Sequence, residues 1–279
     1  MKPAPFTYCR PDSLADVLAL LGEYGDQAAV LAGGLSLGPL MNMRMARPDV
    51  VVDINRLDGL ARIERDGDNL RTGALVRQSD ALASAECKEM VPLLVAALEY
   101  VGHYQTRSRG TLGGSVAHAD PSAEVPLCLT TLGGEVELTS ERQVRRVRAG
   151  DFFLGALTTD RAEDEFITAL LWPIHRSGIA FEEVSERRGD FAIVAAAAWA
   201  EYSADGIHYG LGLGGIEDRP IGTSGSSENT TSLAERVSRE LIEGLEAMDD
   251  NRASAAYRRH LAGHLGQQVL QQVMQELAS

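Results

Sequence analysis

The chain has 279 residues, 44% of them hydrophobic and 24% charged, with a formal net charge of −14 and three cysteines. That length can bury a large core in one or two domains, and no apolar run approaches the roughly eighteen residues a membrane span needs. A polyphosphate backbone would repel so acidic a chain, which argues against nucleic acid as a partner. Cys9, Cys87 and Cys128, odd in number and without a CxxC, argue against a disulfide framework or an iron–sulfur site and fit a reducing cytoplasm. The N-terminal stretch "MKPAPFTYCRPD" has no apolar segment behind a basic one, so no secretory signal is expected.

Residues 11–26 predict a first helix: Asp12 or Ser13 caps it, Leu14, Val17, Leu18 and Leu21 form one apolar stripe, and Gly25 offers a left-handed stop. "AAVLAGG" then reads as a buried strand ending at two glycines, "SLGPLMNMRM" as a short helix opening at Ser36, and "DVVVDI" as a second strand. After Leu57 the pattern turns α+β. A hairpin is expected around Asp66-Gly67-Asp68-Asn69, and a helix over "VPLLVAALEYVG" with Pro92 in its first turn and Gly102 near its end. "RGTLGGSVAHADPSAEVPL" reads as a loop, and "GEVELTS" and "QVRRVR" as strands, the arginines lying on a solvated face.

Further strands are expected in "EFITALLWPI", "GIAFEEVSE", "FAIVAAAAWAEYS" and "GIHYGLGLGG". Residues 223–232, "TSGSSENTTS", read as a polar linker before a helical end, where Leu233, Val237, Leu241 and Leu245, then Val269, Val273 and Leu277, recur at spacing four. The expected domains are 1–57, 58–172 and 173–279.

Three glycine-rich segments bear on function. Gly210, Gly212 and Gly215 match a dinucleotide fingerprint by spacing, but Pro220 follows and no apolar helical period does, so a strand end and turn is expected. "LAGGLSL" has the right context, because a strand delivers Gly33 and Gly34 to a helix start. Without a Cβ they let an anion touch backbone N–H groups, Ser36 can add a hydroxyl and cap the helix, and the helix dipole favours negative charge. By itself the segment also fits a tight turn without a ligand. Around Thr111, Gly113, Gly114 and Ser115 a second set of donors is expected, and two such loops suit a diphosphate held between two subdomains. Glu124 can accept from a sugar hydroxyl, and Asp120 and His118 can do the same or orient the loop; for His118 and His103 a structural role stays open. His260 and His264, four apart without a neighbouring Glu or a third ligand, fit a solvated helix face better than zinc.

"LAGGLSLGPLMNMRMARPDVVVDINRL" and "TRSRGTLGGSVAHADPSAEVPL", about 75 residues apart, resemble the two flavin-binding signatures of the medium, FAD-binding subunits of molybdenum hydroxylases, the relatives of carbon monoxide and nicotine dehydrogenases. The resemblance covers essentially the whole chain. It implies an α+β, two-subdomain FAD fold of the vanillyl-alcohol-oxidase type, followed by a C-terminal domain of antiparallel sheet and helices. By match to the motifs, Val30, Leu31, Ala32, Gly33, Gly34, Leu35, Ser36 and Leu37 hold the pyrophosphate. Thr111, Leu112, Gly113, Gly114 and Ser115 form the second side, with Asp120 beside them and Glu124 on a sugar-chain hydroxyl. Ile167 packs on the cofactor, and Phe191 stands where several relatives carry a tyrosine near the ring. Glu182 stands where some relatives carry a lysine that reaches the cofactor. Arg107 or Arg109 would stabilise reduced flavin if turned inward, or else anchor a partner.

The resemblance further implies an electron-transfer role with no catalytic residue or metal on this chain. A small subunit with two [2Fe–2S] clusters and a large molybdopterin subunit are the expected partners, in a dimer of heterotrimers. The substrate is met on another chain; the "H-x-Q-T-R" run from His103 to Arg107 leans toward N-heteroaromatics. A self-sufficient flavin oxidase or dehydrogenase and a non-catalytic nucleotide-binding scaffold are the alternatives.

Overall fold

A computed structural model describes the chain except residues 176–177, 205, 229–231 and 279. The first layer runs β1 (Thr7–Cys9), α1 (Leu14–Tyr24), β2 (Ala28–Leu31), α2 (Leu37–Asn42) and β3 (Val50–Asp53). Ser13 caps α1, its hydroxyl accepting from the Asp16 amide at 3.2 Å, and Val17, Leu18 and Leu21 are buried while Leu14 stays exposed. The strands pair in parallel in the order β1-β3-β2, so both helices are crossovers of βαβ units. β1, too short and polar to announce itself, was not expected.

The second layer contains β4 (Ile63–Asp66), β5 (Asn69–Gly73), α3 (Gln78–Ala83), α4 (Ala85–Met90), α5 (Pro92–Leu98), α6 (Tyr104–Arg107), α7 (Leu112–His118), α8 (Glu124–Thr131), β6 (Glu135–Thr139), β7 (Val144–Arg148), α9 (Ala149–Phe152), β8 (Phe153–Gly155), β9 (Thr158–Thr159) and β10 (Phe166–Pro173). Its antiparallel sheet has the order β4-β5-β10-β6-β7. β4 and β5 meet through the expected turn, with Gly67 at φ +61°. Central strand β10 is buried throughout its first seven residues, and the Trp172 indole donates to Thr72 Oγ1 at 2.9 Å. On β7 the solvated reading fails for Arg145, which ties Asp160 and Glu165 together.

The third layer comprises β11 (Ile179–Val184), β12 (Val194–Ser203), β13 (Gly206–Gly214), β14 (Ile221–Ser227), α10 (Leu233–Glu243) and α11 (Ala255–Ala278), the strands forming an antiparallel meander. β12 is buried on both faces: Ala195, Ala197 and Trp199 enter the core of the second layer, and Ala196, Ala198 and Ala200 enter the core that α11 covers. Small side chains let helices approach from both sides, which explains the alanine run.

Two further expectations need correction. The segment read as a loop folds into α7 and α8, because Thr111 caps the first turn, accepting from the Gly114 amide at 3.0 Å, and Leu112 and Val116 bury one face four residues apart. Its glycines are there for close approach: a Cβ on Gly113 would lie 2.7 Å from the Ala74 backbone. The polar "linker" begins as β14, held by its ladder to β13 along a solvent-facing edge; its residues 229–231 lie outside the described residues. Gly210 and Gly212 do lie in β13, and Gly215 turns at φ +74°.

Candidate cofactor site

Between the first two layers, with the start of the third at its mouth, lies a cavity of about 640 Å³. That is the size of a small-molecule or cofactor site. One wall is the turn from β2 into α2. Gly34 takes φ +75°, and the chain turns so that residues 32–37 face the cavity. Among the described residues, no acceptor within the chain engages the amides of Gly33, Gly34, Leu35, Ser36 and Leu37. A run of open N–H groups at a helix start is an anion cradle. Ser36 precedes α2 but does not cap it with its side chain, contrary to expectation, because its own backbone is already helical (φ −97°, ψ −53°).

The facing wall is the N-terminal end of α7. Here the expected amide donors are committed elsewhere: Leu112 N–H bonds Val76 O at 3.0 Å, Gly113 N–H bonds Ala74 O at 3.2 Å, and Gly114 N–H bonds the Thr111 hydroxyl. This wall offers hydroxyls and shape, through Thr111, Ser115, His118 and Asp120, while the amide cradle belongs to the first wall.

Most residues singled out from sequence meet in this one cavity: Val30, Ala32 to Leu37, Thr111, Gly113 to Ser115, Asp120, Glu124, Ile167 and Phe191. Leu31 and Leu112 do not line it. Leu31 packs against Gly34 from behind, and Leu112 is fully buried in the second-layer core. Arg107 turns back to the carbonyls of Val101 and Gly102, and neither it nor Arg109 nor His103 lines the cavity. His260 and His264 are exposed on α11, and no three His, Cys, Asp or Glu among the described residues group to hold a metal.

Glu124, at the first position of α8, is 6% exposed. Burial, reinforced by the charges of Glu183 and Asp120, pushes its carboxyl up to about 8, against a helix-end amide that favours ionisation. Glu182 does not line the cavity: Phe181 and Ala180 enter opposite cores, so strand alternation turns Glu183 toward the side of Phe181 and Glu182 away from it. The carboxyl that matters near Glu124 is therefore Glu183, itself raised by burial to about 7.

At the mouth, Gly189, Asp190 and Phe191 lie over the cavity, and the Phe191 ring is 54% exposed. The segment is held from below by the third layer. Arg252 donates to the Phe191 carbonyl, and buried Arg258 donates to Ile193 O at 2.5 Å and Gly215 O at 2.6 Å while pairing with Asp250 at 2.7 Å.

Sequence reading missed the polar residues behind the cradle. Asn55, just past β3, donates to Ala32 O at 2.8 Å and Leu31 O at 3.3 Å, and it accepts from Arg77 at 2.6 Å. Arg77 in turn donates to the Arg109 carbonyl. Arg161 was missed as well; it lines the cavity, and its Nη1 donates to the carbonyls of Ala162 at 2.9 Å and Glu165 at 2.7 Å. Only the D-I-N run after an apolar strand hinted at Asn55.

An elongated ligand with an anionic middle and apolar or aromatic ends fits these walls. The first wall supplies open amides, the facing wall supplies hydroxyls and the buried Glu124 carboxyl, and Ile167 and Phe191 supply apolar surface.

Comparison with known proteins identifies the fold and the ligand. Residues 4–175 match the FAD binding domain in molybdopterin dehydrogenase, and residues 179–273 the CO dehydrogenase flavoprotein C-terminal domain. The chain is 39% identical over 225 residues to the caffeine dehydrogenase subunit beta of Pseudomonas sp. (strain CBB1), covering 79% of this chain and 76% of that one. It is 36% identical over 272 residues to the nicotine 6-hydroxylase medium subunit of Paenarthrobacter nicotinovorans, covering 95% and 96%. Its fold superposes on a chain of quinoline 2-oxidoreductase from Pseudomonas putida 86 with a TM-score of 0.91 at 32% identity, covering 99% and 100%. With a cradle that suits a diphosphate and family matches along nearly its whole length, the chain belongs to the FAD-binding flavoproteins of the molybdopterin dehydrogenases.

Proposed function

We propose that this chain is the electron-transfer subunit of a cytoplasmic, multi-subunit molybdenum hydroxylase, taking electrons from the [2Fe–2S] clusters of a small subunit and passing them to an external acceptor. A large molybdopterin subunit oxidises the organic substrate, and the assembly is a dimer of heterotrimers. The observation that carries this reading is the row of open amides from Gly33 to Leu37 at the head of a cavity sized for a cofactor. The relatives' names, "medium subunit" and "subunit beta", support the multi-subunit part. Caffeine, nicotine and quinoline, the compounds in the relatives' names, share a nitrogen heteroaromatic ring, which supports an N-heteroaromatic substrate on the partner chain.

When bound, FAD supplies reversible one- and two-electron chemistry. This chain's residues bind it and tune it. The amides of residues 33–37 hold the diphosphate, Thr111, Ser115 and Asp120 shape the opposite wall, and Glu124 hydrogen-bonds a sugar hydroxyl. Ile167 and Phe191 flank the ring end and exclude water from it. The domains run 1–57, 58–172 and 173–279; the parallel sheet ends with β3 at Asp53, in keeping with the first boundary, and β10 ends at Pro173, one residue past the second.

The test is to express and purify the chain, record its absorbance from 300 to 550 nm, and identify any nucleotide released by heat. Bound FAD, or stoichiometric uptake of added FAD, is expected, followed by co-purification of two partner subunits. A folded, colourless chain that takes up no FAD would overturn the reading.

A further inference from the structure

The two walls of the cavity come from different layers of the fold, so a ligand that touches both depends on the spacing between them. A chain of polar contacts, closed at Gly33 by a van der Waals approach of the Arg109 carbonyl, connects them from behind. Asn55 is fixed first: Asp53 Oδ1 accepts from its backbone N–H at 2.9 Å and from its side-chain amide at 2.7 Å, while the Tyr8 hydroxyl donates to the other Asp53 oxygen. Burial pushes the Asp53 carboxyl upward, but these hydrogen bonds outweigh burial and hold it below its ordinary value, so it stays an acceptor.

From that anchor the Asn55 amide reaches the carbonyls of Leu31 and Ala32, the last residues before the cradle. Its oxygen receives Arg77, whose other nitrogen reaches the Arg109 carbonyl. That same carbonyl lies against the bare side of Gly33, where a Cβ would collide with it. The ring closes there. Arg77 also makes a backbone bridge to Thr111, the residue that caps α7. A planar guanidinium can span two acceptors in fixed directions, whereas an ammonium cannot.

Resting on the FAD reading, we propose that Asn55 and Arg77 are positioning residues, a strut that sets the distance between the two walls and thereby the affinity for the diphosphate of the cofactor. Neither lines the cavity, so the strut acts through the loops it holds.

Four variants test it, Arg77→Met, Arg77→Lys, Asn55→Asp and the double variant Asn55→Ala with Arg77→Met, each checked for folding by circular dichroism. Affinities for FAD and for ADP, which carries only the diphosphate end, are measured by fluorescence and calorimetric titration. Hydrogen exchange is followed by mass spectrometry on the nucleotide-free chain.

Arg77→Met is expected to weaken both ligands at least tenfold, and the double variant no more than twofold further, since either change opens the same ring. Arg77→Lys is expected to lose nearly as much as Arg77→Met, because charge without the fork cannot span Asn55 and Arg109. Asn55→Asp keeps an acceptor for Arg77 but removes the donors to Leu31 and Ala32, and should lose at least fivefold. Exchange should quicken at the hydrogen-bonded amides of Gly38 and Leu40 and in residues 110–116, but not in β12.

Full binding in Arg77→Lys would show that charge alone matters and overturn the strut. Additive losses in the double variant, or unchanged exchange in both loops, would overturn it too. If the unaltered chain binds neither FAD nor ADP, the FAD reading falls by itself, and the exchange measurement then decides whether the strut exists.

Discussion

Substituting Glu124 by Gln should make the nucleotide-free protein increasingly more stable than its parent as pH rises. The carboxyl is buried and its pKa stands at about 8 in the folded chain, against an ordinary value near 4.5. A raised pKa means that the folded state holds the proton more tightly than the unfolded state, so the associated stability is complete below pH 4.5 and is lost progressively until pH 8. Each pH unit inside that window is worth about 1.4 kcal/mol. Between pH 5 and pH 9 the gap between Glu124→Gln and the parent should therefore widen by about 4 kcal/mol, an upper bound because Glu183 titrates nearby. For a chain of this length that is roughly 7 °C in melting temperature. The assay is a set of thermal melts of both proteins, without nucleotide, at half-unit steps from pH 5 to 9. Parallel curves would refute the argument, because they would mean that Glu124 ionises in the fold as easily as in water.

Gly33→Ala drives a methyl into the Arg109 carbonyl and should cost about 1–3 kcal/mol in thermal or denaturant unfolding, with loss of FAD uptake. Gly38→Ala, in α2 with nothing within 4 Å, should instead stabilise by about 0.5–1 kcal/mol in the same assay. Phe191→Ala removes a half-exposed ring from the cavity mouth, so melting of the nucleotide-free chain should move by less than about 0.5 kcal/mol, while FAD affinity falls roughly 3- to 10-fold by fluorescence titration. At Asp250, burial acts upward, but the Ala253 amide and Arg258 outweigh it and hold the carboxyl at about 2, below its ordinary value; its stabilisation is present above pH 4 and lost as pH falls through 2. Asp250→Asn should cost about 1 kcal/mol at pH 7, discounted for its exposed side, and the difference should shrink in melts toward pH 2.

What could be read from sequence was local. The apolar runs of β2 and β3, the Ser13 cap, the two-residue turn at Gly67 and the paired glycine loops each declare themselves within a dozen residues, and the family resemblance rests on the same short segments. The Ser36 cap failed for a local reason, its own helical backbone, but the other misreadings share a cause: the partner was distant in sequence. Glycine-rich residues 110–118 looked like loop because nothing nearby shows that Ala74 leaves no room for a Cβ at Gly113. Glu182 drew attention over Glu183 because which face of β11 turns toward Glu124 is set by the cores on either side of that strand. Asn55 and Arg77 are 22 residues apart, and Arg77 and Arg109 are 32 apart, so no motif of either loop contains the ring that joins them.

The glycines of the cradle show how the two kinds of information combine. From sequence, a missing Cβ is expected to leave the backbone bare for an anion. In the fold the missing Cβ of Gly33 makes room for the Arg109 carbonyl of the opposite wall, while the open amides of residues 33–37 face the cavity. Glycine is required there on the protein side, so that the second wall can come close, and Gly34 is required by its φ of +75°, while the open donors are backbone N–H groups. It follows that replacing Leu35, 42% exposed and without such a contact, by Ala should leave FAD binding nearly intact, whereas the single methyl of Gly33→Ala should abolish it.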